Sequence, residues 1–390
     1  MGNITFTFFG RYDHEKGITI LLQAIEELSL EPKSFSKMEF NFFGKGSYIE
    51  KIKALSKKFP NIKEHGRKDR NHIIDFLKNK TDYTIMPSVF LETFGKTFLE
   101  SCEIGVPVIG LKKGGSASFI HENLDINAEN NEKIKERLIT IIKKILSNDG
   151  SYNRKIYHQR SLNKAKNFSQ QVRIDNFYSF FPEYNLGKSK ILLISDYNSN
   201  LGGIEKYLQD TQKILIHQGI NTKIFGRPLP TGRYTKFLKG LYLCLSGLNI
   251  VYFVQLYMIL LKEKASHLWF HSTLRVIGRF PIYFLSKKQK ILVTYHDLGY
   301  FHPFPSLVEQ ESQIPSEFSL KSFLSEAKNK SLLIKGLVIL KFFSLKLIKN
   351  QLLRKADYHI VPSDFMVKFL EKQRKVPKEK IIVFPHCSIQ

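Results

Sequence analysis

The sequence predicts an α/β protein of two doubly wound units, each a parallel sheet flanked by helices. Three observations predict it. Short β-prone runs alternate with helical stretches along the chain, the order that builds parallel sheets. A length of 390 residues holds two hydrophobic cores of ordinary size. The strand–loop–helix–strand opening of the chain also occurs a second time: a strand at 191–195, the loop DYNSNLGGIEKY, a helix to His217-Gln218-Gly219 and a strand at 222–225. The domains are therefore expected at 1–185 and 186–390.

Composition fits a folded globular chain, with 43% apolar and 24% charged residues. Cys102, Cys244 and Cys387 are scattered and odd in number, which argues for a reducing, cytoplasmic setting and against a disulfide framework or zinc site. The net charge of +25 is uneven. Residues 1–185 carry 29 basic and 22 acidic side chains, and residues 186–390 carry 31 and 13. Such a field favours anionic partners. No nucleic-acid module is evident, so an anionic membrane surface is expected, with no nucleic acid. Residues 2–10 lack the basic start of a secretory signal. The uncharged run 241–261, LYLCLSGLNIVYFVQLYMILL, is long enough to span a membrane. It also holds Ser246, Asn249, Gln255 and three tyrosines, and a buried or interfacial helix is the expectation.

In order, the first half opens with a strand at 5–9, the turn GRYDHEKG at 10–17 and an amphipathic helix through Leu28. A strand at 38–43 ends in Gly44-Lys45-Gly46 and leads to a helix at 48–58. A strand at 62–65 and a helix at 72–78 precede the most informative stretch, DYTIMPSVFLETFGKTFLESCEIGVPVIGLKKGG at 82–115. There a strand at 82–86 stops at Pro87-Ser88, and a helix opens near Phe94 and runs to Glu103. Gly105 and Pro107 end it, and a strand at 108–111 turns out at Gly114-Gly115. Helices follow at 134–146, 152–167 and 168–181.

Glu92 and Glu100 frame the helix, ~10–12 Å apart along its axis at ~1.5 Å per residue. The N–H groups of Thr93, Phe94 and Gly95 at its start have no intrahelical partner and suit a phosphate. Two readings of this spacing stand open: a solvated glutamate pair on a surface helix, or a nucleoside diphosphate sugar site. The fixed points Pro87-Ser88, Glu92, Gly95, Glu100, Gly105 and Pro107-Val108-Ile109 resemble the donor-site signature of retaining GT-B glycosyltransferases, and more narrowly glycosyltransferase family 4 with its Glu-x7-Glu motif. Ser118 stands where that family often carries a further Glu.

The resemblance implies a GT-B fold, two Rossmann-like domains facing a cleft. Arg11 and Lys16 would neutralise the donor diphosphate, Glu92 would hold the sugar and Glu100 the ribose. Gly44 and Gly46 would let the backbone pass close to the nucleotide. In the second half, Gly202-Gly203 opening a helix, strands at 267–271 and 290–295, and His296-Asp297 resemble the family's N-terminal domain. His296 would sit beside the donor sugar across the cleft, with Asp297 positioning it or capping a turn. The helix at 168–181 resembles the one that crosses between domains. No histidine pair has metal-ligand spacing with a third ligand, so no metal or cofactor is expected beyond the nucleotide-sugar substrate. Residues 331–355 form a basic apolar helix whose lysines either snorkel from a core or meet a membrane.

The donor-type (C-terminal-type) domain thus comes first, the reverse of the family's order. Three readings stand open: a circular permutant closed within one chain, a head-to-tail assembly of chains, or a slice of a longer tandem array. The expected function is sugar transfer to a glycan or lipid-linked acceptor in surface polysaccharide synthesis, peripheral on the inner face of the cell membrane. The alternative is a non-catalytic membrane-associated scaffold, or a fragment whose half-sites other chains complete.

Overall fold

The computed structural model describes residues 3–147, 150–180, 190–198, 203–227, 250–271, 289–302 and 308–386, apart from 311–312, 315–318, 326 and 330. The chain divides into two compact units, Met1–Ser169 and Gln170–Gln390.

In the first unit, strands β1 (Ile4–Arg11), β2 (Met38–Lys45), β3 (Ile62–Glu64), β4 (Tyr83–Met86) and β5 (Val108–Gly110) form a parallel sheet of order β3-β2-β1-β4-β5. Helices cover its faces, so the strands are almost continuously apolar. Phe6 pairs in register with Phe40 and Phe8 with Phe42, and the first pair stacks at 5.4 Å between ring centroids. Helix α1 (Ile18–Leu28) buries Ile18, Leu21, Leu22, Ile25 and Leu28, the 3–4 spacing of a one-sided apolar stripe. The remaining helices are α2 (Pro32–Phe35), α3 (Ile49–Lys58), α4 (Arg70–Lys80), α5 (Lys96–Glu103), α6 (Asn131–Leu146) and α7 (Arg154–Lys166). Asp69 caps α4 by accepting from His72 N at 2.9 Å.

The sequence runs from β1 out to β3, then crosses to β4 on the other side of β1. The loops after β1 and β4 therefore diverge at a topological switch point, where open α/β sheets bind ligands. Two local departures from expectation bear on it. β1 and β2 run on to Arg11 and Lys45, which are in register. Helix α5 opens at Lys96, two residues later than expected, because Gly95 takes a left-handed φ of 89° as its N-cap.

The second unit holds β6 (Lys190–Tyr197), β7 (Asn221–Arg227), β8 (His267–Phe270), β9 (Lys290–Thr294), β10 (Tyr358–Val361) and β11 (Ile381–Val383). They form a parallel sheet of order β11-β10-β9-β8-β6-β7. Helix α8 (Gln170–Phe180), expected to close the first domain, groups with this unit. Its Phe177 joins the core with Trp269 and Phe384, and Asn176 Nδ2 donates to the Val383 carbonyl at 3.1 Å. The expected boundary at 185/186 lies outside the described residues. Helix α9 (Gly203–His217) follows β6.

Of the apolar run, residues 241–249 lie outside the described residues, and the rest forms the helix Ile250–Glu263. It buries Leu256 but leaves Val254, Tyr257, Met258 and Leu261 exposed. Among the described residues, no helix is long and apolar enough to cross a membrane.

Gly17 shows how tightly the switch point is closed. Its φ is 70°, and a Cβ there would lie 1.8 Å from the Pro87 carbonyl oxygen. Gly66 has a matching φ of 69° with nothing within 4 Å of a Cβ. Gly17→Ala is expected to destabilise the first unit by more than ~2 kcal/mol, and Gly66→Ala by ~1 kcal/mol of backbone strain alone. Urea midpoints for the two variants check this; equal losses would refute the steric role of Gly17.

Candidate functional site

Three segments meet at the switch point. The end of β1 carries Arg11 and the turn after it Asp13, Glu15 and Lys16, the loop after β4 carries residues 87–95, and the turn after β5 carries Gly114 and Gly115. Backbone groups tie them together. The Glu15 carbonyl accepts from Val89 N at 3.0 Å and Phe90 N at 3.3 Å, and the Glu92 carbonyl accepts from Gly115 N at 2.7 Å. A Cβ on Gly115 would stand 2.2 Å from the Thr93 oxygen, so the helix start and the glycine turn touch backbone to backbone.

Lys16 Nζ meets Glu92 Oε1 at 2.7 Å, with both side chains largely buried. The same carboxylate oxygen accepts from Ser88 Oγ at 3.3 Å. The Lys16 ammonium lies 4.5 Å from the centroid of the Phe90 ring, a cation–π contact. Arg11 is the exposed member, donating to Asp13 at 3.0 Å and Glu15 at 2.6 Å. Glu100, near the end of α5, accepts from Arg70 Nε of α4 at 2.9 Å. The structure thus brings Lys16 and Glu92 into direct contact, and holds Arg11 and Glu100 in separate ion pairs.

Of the remaining expected residues in this unit, Gly95 sets the left-handed N-cap and Phe94 is buried, its ring 5.5 Å from Phe119 and 5.5 Å from Phe168. Thr93 lies beside Gly115. Gly44 and Gly46 are required by the chain itself: Cβ atoms there would stand 1.8 Å from the Gly10 oxygen and 2.6 Å from the Tyr12 oxygen. Sequence reading missed Arg70 and Phe90, and gave Ser88, a fixed point of the motif, no role of its own. Ser88 and Phe90 lay inside the motif, whereas Arg70 had no local signal, because its partner is 30 residues away.

The second unit gathers histidines at the carboxyl ends of its strands. His271 follows β8 and is fully buried, its Nδ1 3.2 Å from Nε2 of His296 after β9. Tyr207 of α9 packs edge-on to His296 at 4.8 Å and to His386 at 4.6 Å. Arg173 of α8 is fully buried, its guanidinium 4.5 Å from the Tyr207 ring and 4.0 Å from that of Phe384. Burial, His296 and Arg173 hold the His271 imidazole well below its ordinary range. Burial and then Arg173 push His296 down to about 3. Both rings are therefore neutral at pH 7. Ser195 Oγ and His271 Nε2 are buried without a hydrogen-bond partner among the described residues. Asp297 accepts from Gly299 N at 2.7 Å and so caps the turn Leu298–Tyr300, the second of its two expected roles. Gly203 opens α9, and Gly202 lies outside the described residues. His271 had a trace in the sequence, as the last residue of HLWFH; Arg173 had none.

A histidine whose folded pKa is depressed stabilises the fold fully above its unfolded pKa and loses that contribution as pH falls. Between about pH 6.5 and 3 the unfolded chain takes up protons that folded His296 excludes, so stability falls with pH by up to ~1.4 kcal/mol per unit for each such ring. The single tryptophan, Trp269, stacks on His271 at 5.2 Å and reports this unit. Urea midpoints followed by its fluorescence are expected to drop from pH 7 to 4, less steeply in His296→Asn. A flat profile in the native chain would contradict the buried neutral pair.

Among solved structures, the chain is similar to the pneumococcal O-GlcNAc transferase GtfA in complex with UDP and GlcNAc, with 19% identity over 47% of this chain and 36% of that one, at a TM-score of 0.39. The catalytic domain of cholesterol-α-glucosyltransferase from Helicobacter pylori is 18% identical over 43% of this chain and 99% of that one, at a TM-score of 0.34. Anabaena Alr3699/HepE in complex with UDP and glucose is 20% identical over 47% of this chain and 49% of that one, at a TM-score of 0.36. The chain thus spans about a third of the first of these and half of the last. No curated protein sequence matches it. Residues 1–162, within the first unit, match the family model of glycosyl transferases group 1.

Proposed function

We propose that the chain is a retaining glycosyltransferase of the GT-B type, similar to glycosyltransferase family 4, with its donor domain (1–185) ahead of its acceptor-side domain (186–390). In this reading it moves a sugar from a nucleoside diphosphate sugar to a glycan or lipid-linked acceptor in surface polysaccharide synthesis. The observation that carries the proposal is the Lys16–Glu92 ion pair at the switch point, inside the segment matched by the family model.

The pair is a site in its resting charge state. A diphosphate arriving between the turn after β1 and the start of α5 takes Arg11 and Lys16 as counter-ions, and Lys16 is then shared between phosphate and Glu92. Glu92, relieved of part of its partner, accepts from the sugar hydroxyls. Glu100, already oriented by Arg70, accepts from the ribose. As the C1–O bond to the diphosphate breaks, charge grows on the leaving oxygen, where Arg11, Lys16 and the N–H groups at Gly95 stabilise it without a metal. The acceptor hydroxyl attacks C1 on the same face, and its proton passes to the departing phosphate oxygen. His296, a neutral imidazole, steadies the sugar by hydrogen bonding. Gly44 and Gly46 keep the nucleotide side of the site free of side chains, and Gly203 leaves the start of α9 without one.

The second unit suits a membrane-facing acceptor. The helix Leu332–Lys355 leaves Leu332, Leu333, Leu340 and Phe343 exposed among its lysines, and this half carries most of the net positive charge. The proposed location is the inner face of the cell membrane, facing the cytoplasm.

Calorimetric titration with UDP and GDP tests the donor site. Arg11→Ala and Lys16→Ala are each expected to weaken the preferred nucleotide by about tenfold or more. Glu92→Gln should bind nucleotide unchanged and lower turnover of the nucleotide sugar by about 100-fold. Full turnover in Glu92→Gln together with Arg11→Ala would sink the proposal.

A further inference from the structure

A second basic concavity lies in the first unit, between α7 and the turn that follows β5. It is a cavity of about 500 Å³, within the size range of small-molecule sites. None of the switch-point residues lines it. Its cations are Lys112 after β5 and Arg160 and Lys164 on α7; among the described residues its one carboxylate is Glu122. Glu122 pairs with Lys112, yet its side chain is 79% exposed, so the carboxylate that answers three cations is held from the solvent side.

The cations differ in mobility. Lys164 Nζ donates to the Ser118 carbonyl at 3.0 Å and approaches the Ile120 carbonyl at 3.4 Å, which fixes its position. Burial, together with nearby Lys112, lowers its proton affinity. The Arg160 guanidinium lies 5.9 Å from the Tyr157 ring and meets no carboxylate in a salt bridge among the described residues. His121, buried beside Ser161, reads the field of the site. Burial, then Lys164, Arg160 and Lys112, push its imidazole down to about 4. The remaining polar wall is made of carboxamides, Asn123, Asn163 and Asn167. These donate to and accept from hydroxyls, which neither lysine nor arginine can do.

We propose that this cavity is a binding site for a phosphorylated polyol: the phosphate is held by Lys112, Lys164 and Arg160, and the hydroxyls by the three asparagines. Inorganic phosphate alone fills a small part of 500 Å³, so the carbon skeleton is part of the fit. Glu122 occupies the phosphate's counter-charge on Lys112 and leaves for solvent when the ligand enters. The arrangement fits a phosphate monoester better than a carboxylate, because three cations line one concavity and a phosphate offers three acceptor oxygens to them. The site is separate from the proposed donor site and does not rest on that function.

Calorimetry on the full chain with inorganic phosphate, glucose 6-phosphate and glucose tests the proposal. Glucose 6-phosphate should bind, inorganic phosphate should bind more weakly, and glucose should not bind. Lys112→Ala and Arg160→Ala should each weaken glucose 6-phosphate about tenfold. Glu122→Gln, a change at an exposed side chain, should tighten it severalfold. In the full chain, the His121 imidazole followed by NMR should titrate at higher pH once the ligand is bound, since a bound dianion offsets the three cations. No binding by the Glu122→Gln variant, or equal binding by wild type and a folded Lys112→Ala/Arg160→Ala chain, would overturn the proposal. Loss of UDP binding in Arg11→Ala with glucose 6-phosphate binding intact would separate the two sites.

Discussion

The Lys16–Glu92 ion pair joins two loops 76 residues apart in the chain, and the geometry of the first unit's site depends on it. A partly buried pair of this kind gains little stability outright, because desolvation offsets much of its Coulomb energy. What it does is fix charge in place. Lys16 cannot reach Glu92 unless the turn after β1 lies against the loop after β4, and that approach is possible only because Gly17 has no side chain facing Pro87. The Glu15 carbonyl then collects the N–H groups of Val89 and Phe90. Phe90 in turn lies within cation–π reach of Lys16. Glycine, carbonyl, ring and ion pair are four consequences of one close approach.

The second unit solves a different electrostatic problem. Here charge is removed: His271 and His296 stay neutral in a pocket walled by Trp269 and Tyr207. One cation, Arg173, lies over aromatic faces. Guanidinium tolerates such burial better than ammonium, being weakly hydrated and planar, and its positive charge helps hold the two imidazoles in their neutral form. Their hydrogen-bonding atoms therefore face each other as donor and acceptor, with one ring oriented by the other.

Much of the fold was legible because it rests on local signals. The Phe-rich runs of β1 and β2 and the glycine after α5 are set by period and backbone conformation, and the observed strands and helices fall within a few residues of the expected ones. The motif from Pro87 to Gly115 was legible because its spacing is fixed by one turn, one helix and one strand. Arg70, the partner of Glu100, and Arg173, the cation over Tyr207, were not. Each acts through a contact made by tertiary packing, and an arginine in an amphipathic helix looks in sequence like any solvated one. Helix α8 illustrates the same limit. Its residues FYSF suit a core, but only packing decides which one, and Phe177 chose the core of Trp269. The glycines at 44 and 46 were expected to pass close to a nucleotide; the backbone they approach is that of Gly10 and Tyr12.

Charge compensation separates the two basic places of the first unit and explains why only one of them carries a sequence signature. At the switch point three cations are met by carboxylates: Arg11 by Asp13 and Glu15 of its own turn, Lys16 by Glu92 of the next loop and Arg70 by Glu100 of α5. The acids and bases must therefore keep fixed spacings, and fixed spacings make a motif. Behind β5, three cations face one exposed acid, and the excess is held by carbonyls and an aromatic ring. Carbonyls are supplied by any residue, so the backbone of 118–120 imposes no residue type, and Arg160 and Lys164 sit on α7 at an ordinary helical spacing. A cationic site built against backbone leaves almost no pattern in sequence, although Lys164, Arg160 and Lys112 add to the burial that lowers the proton affinity of His121.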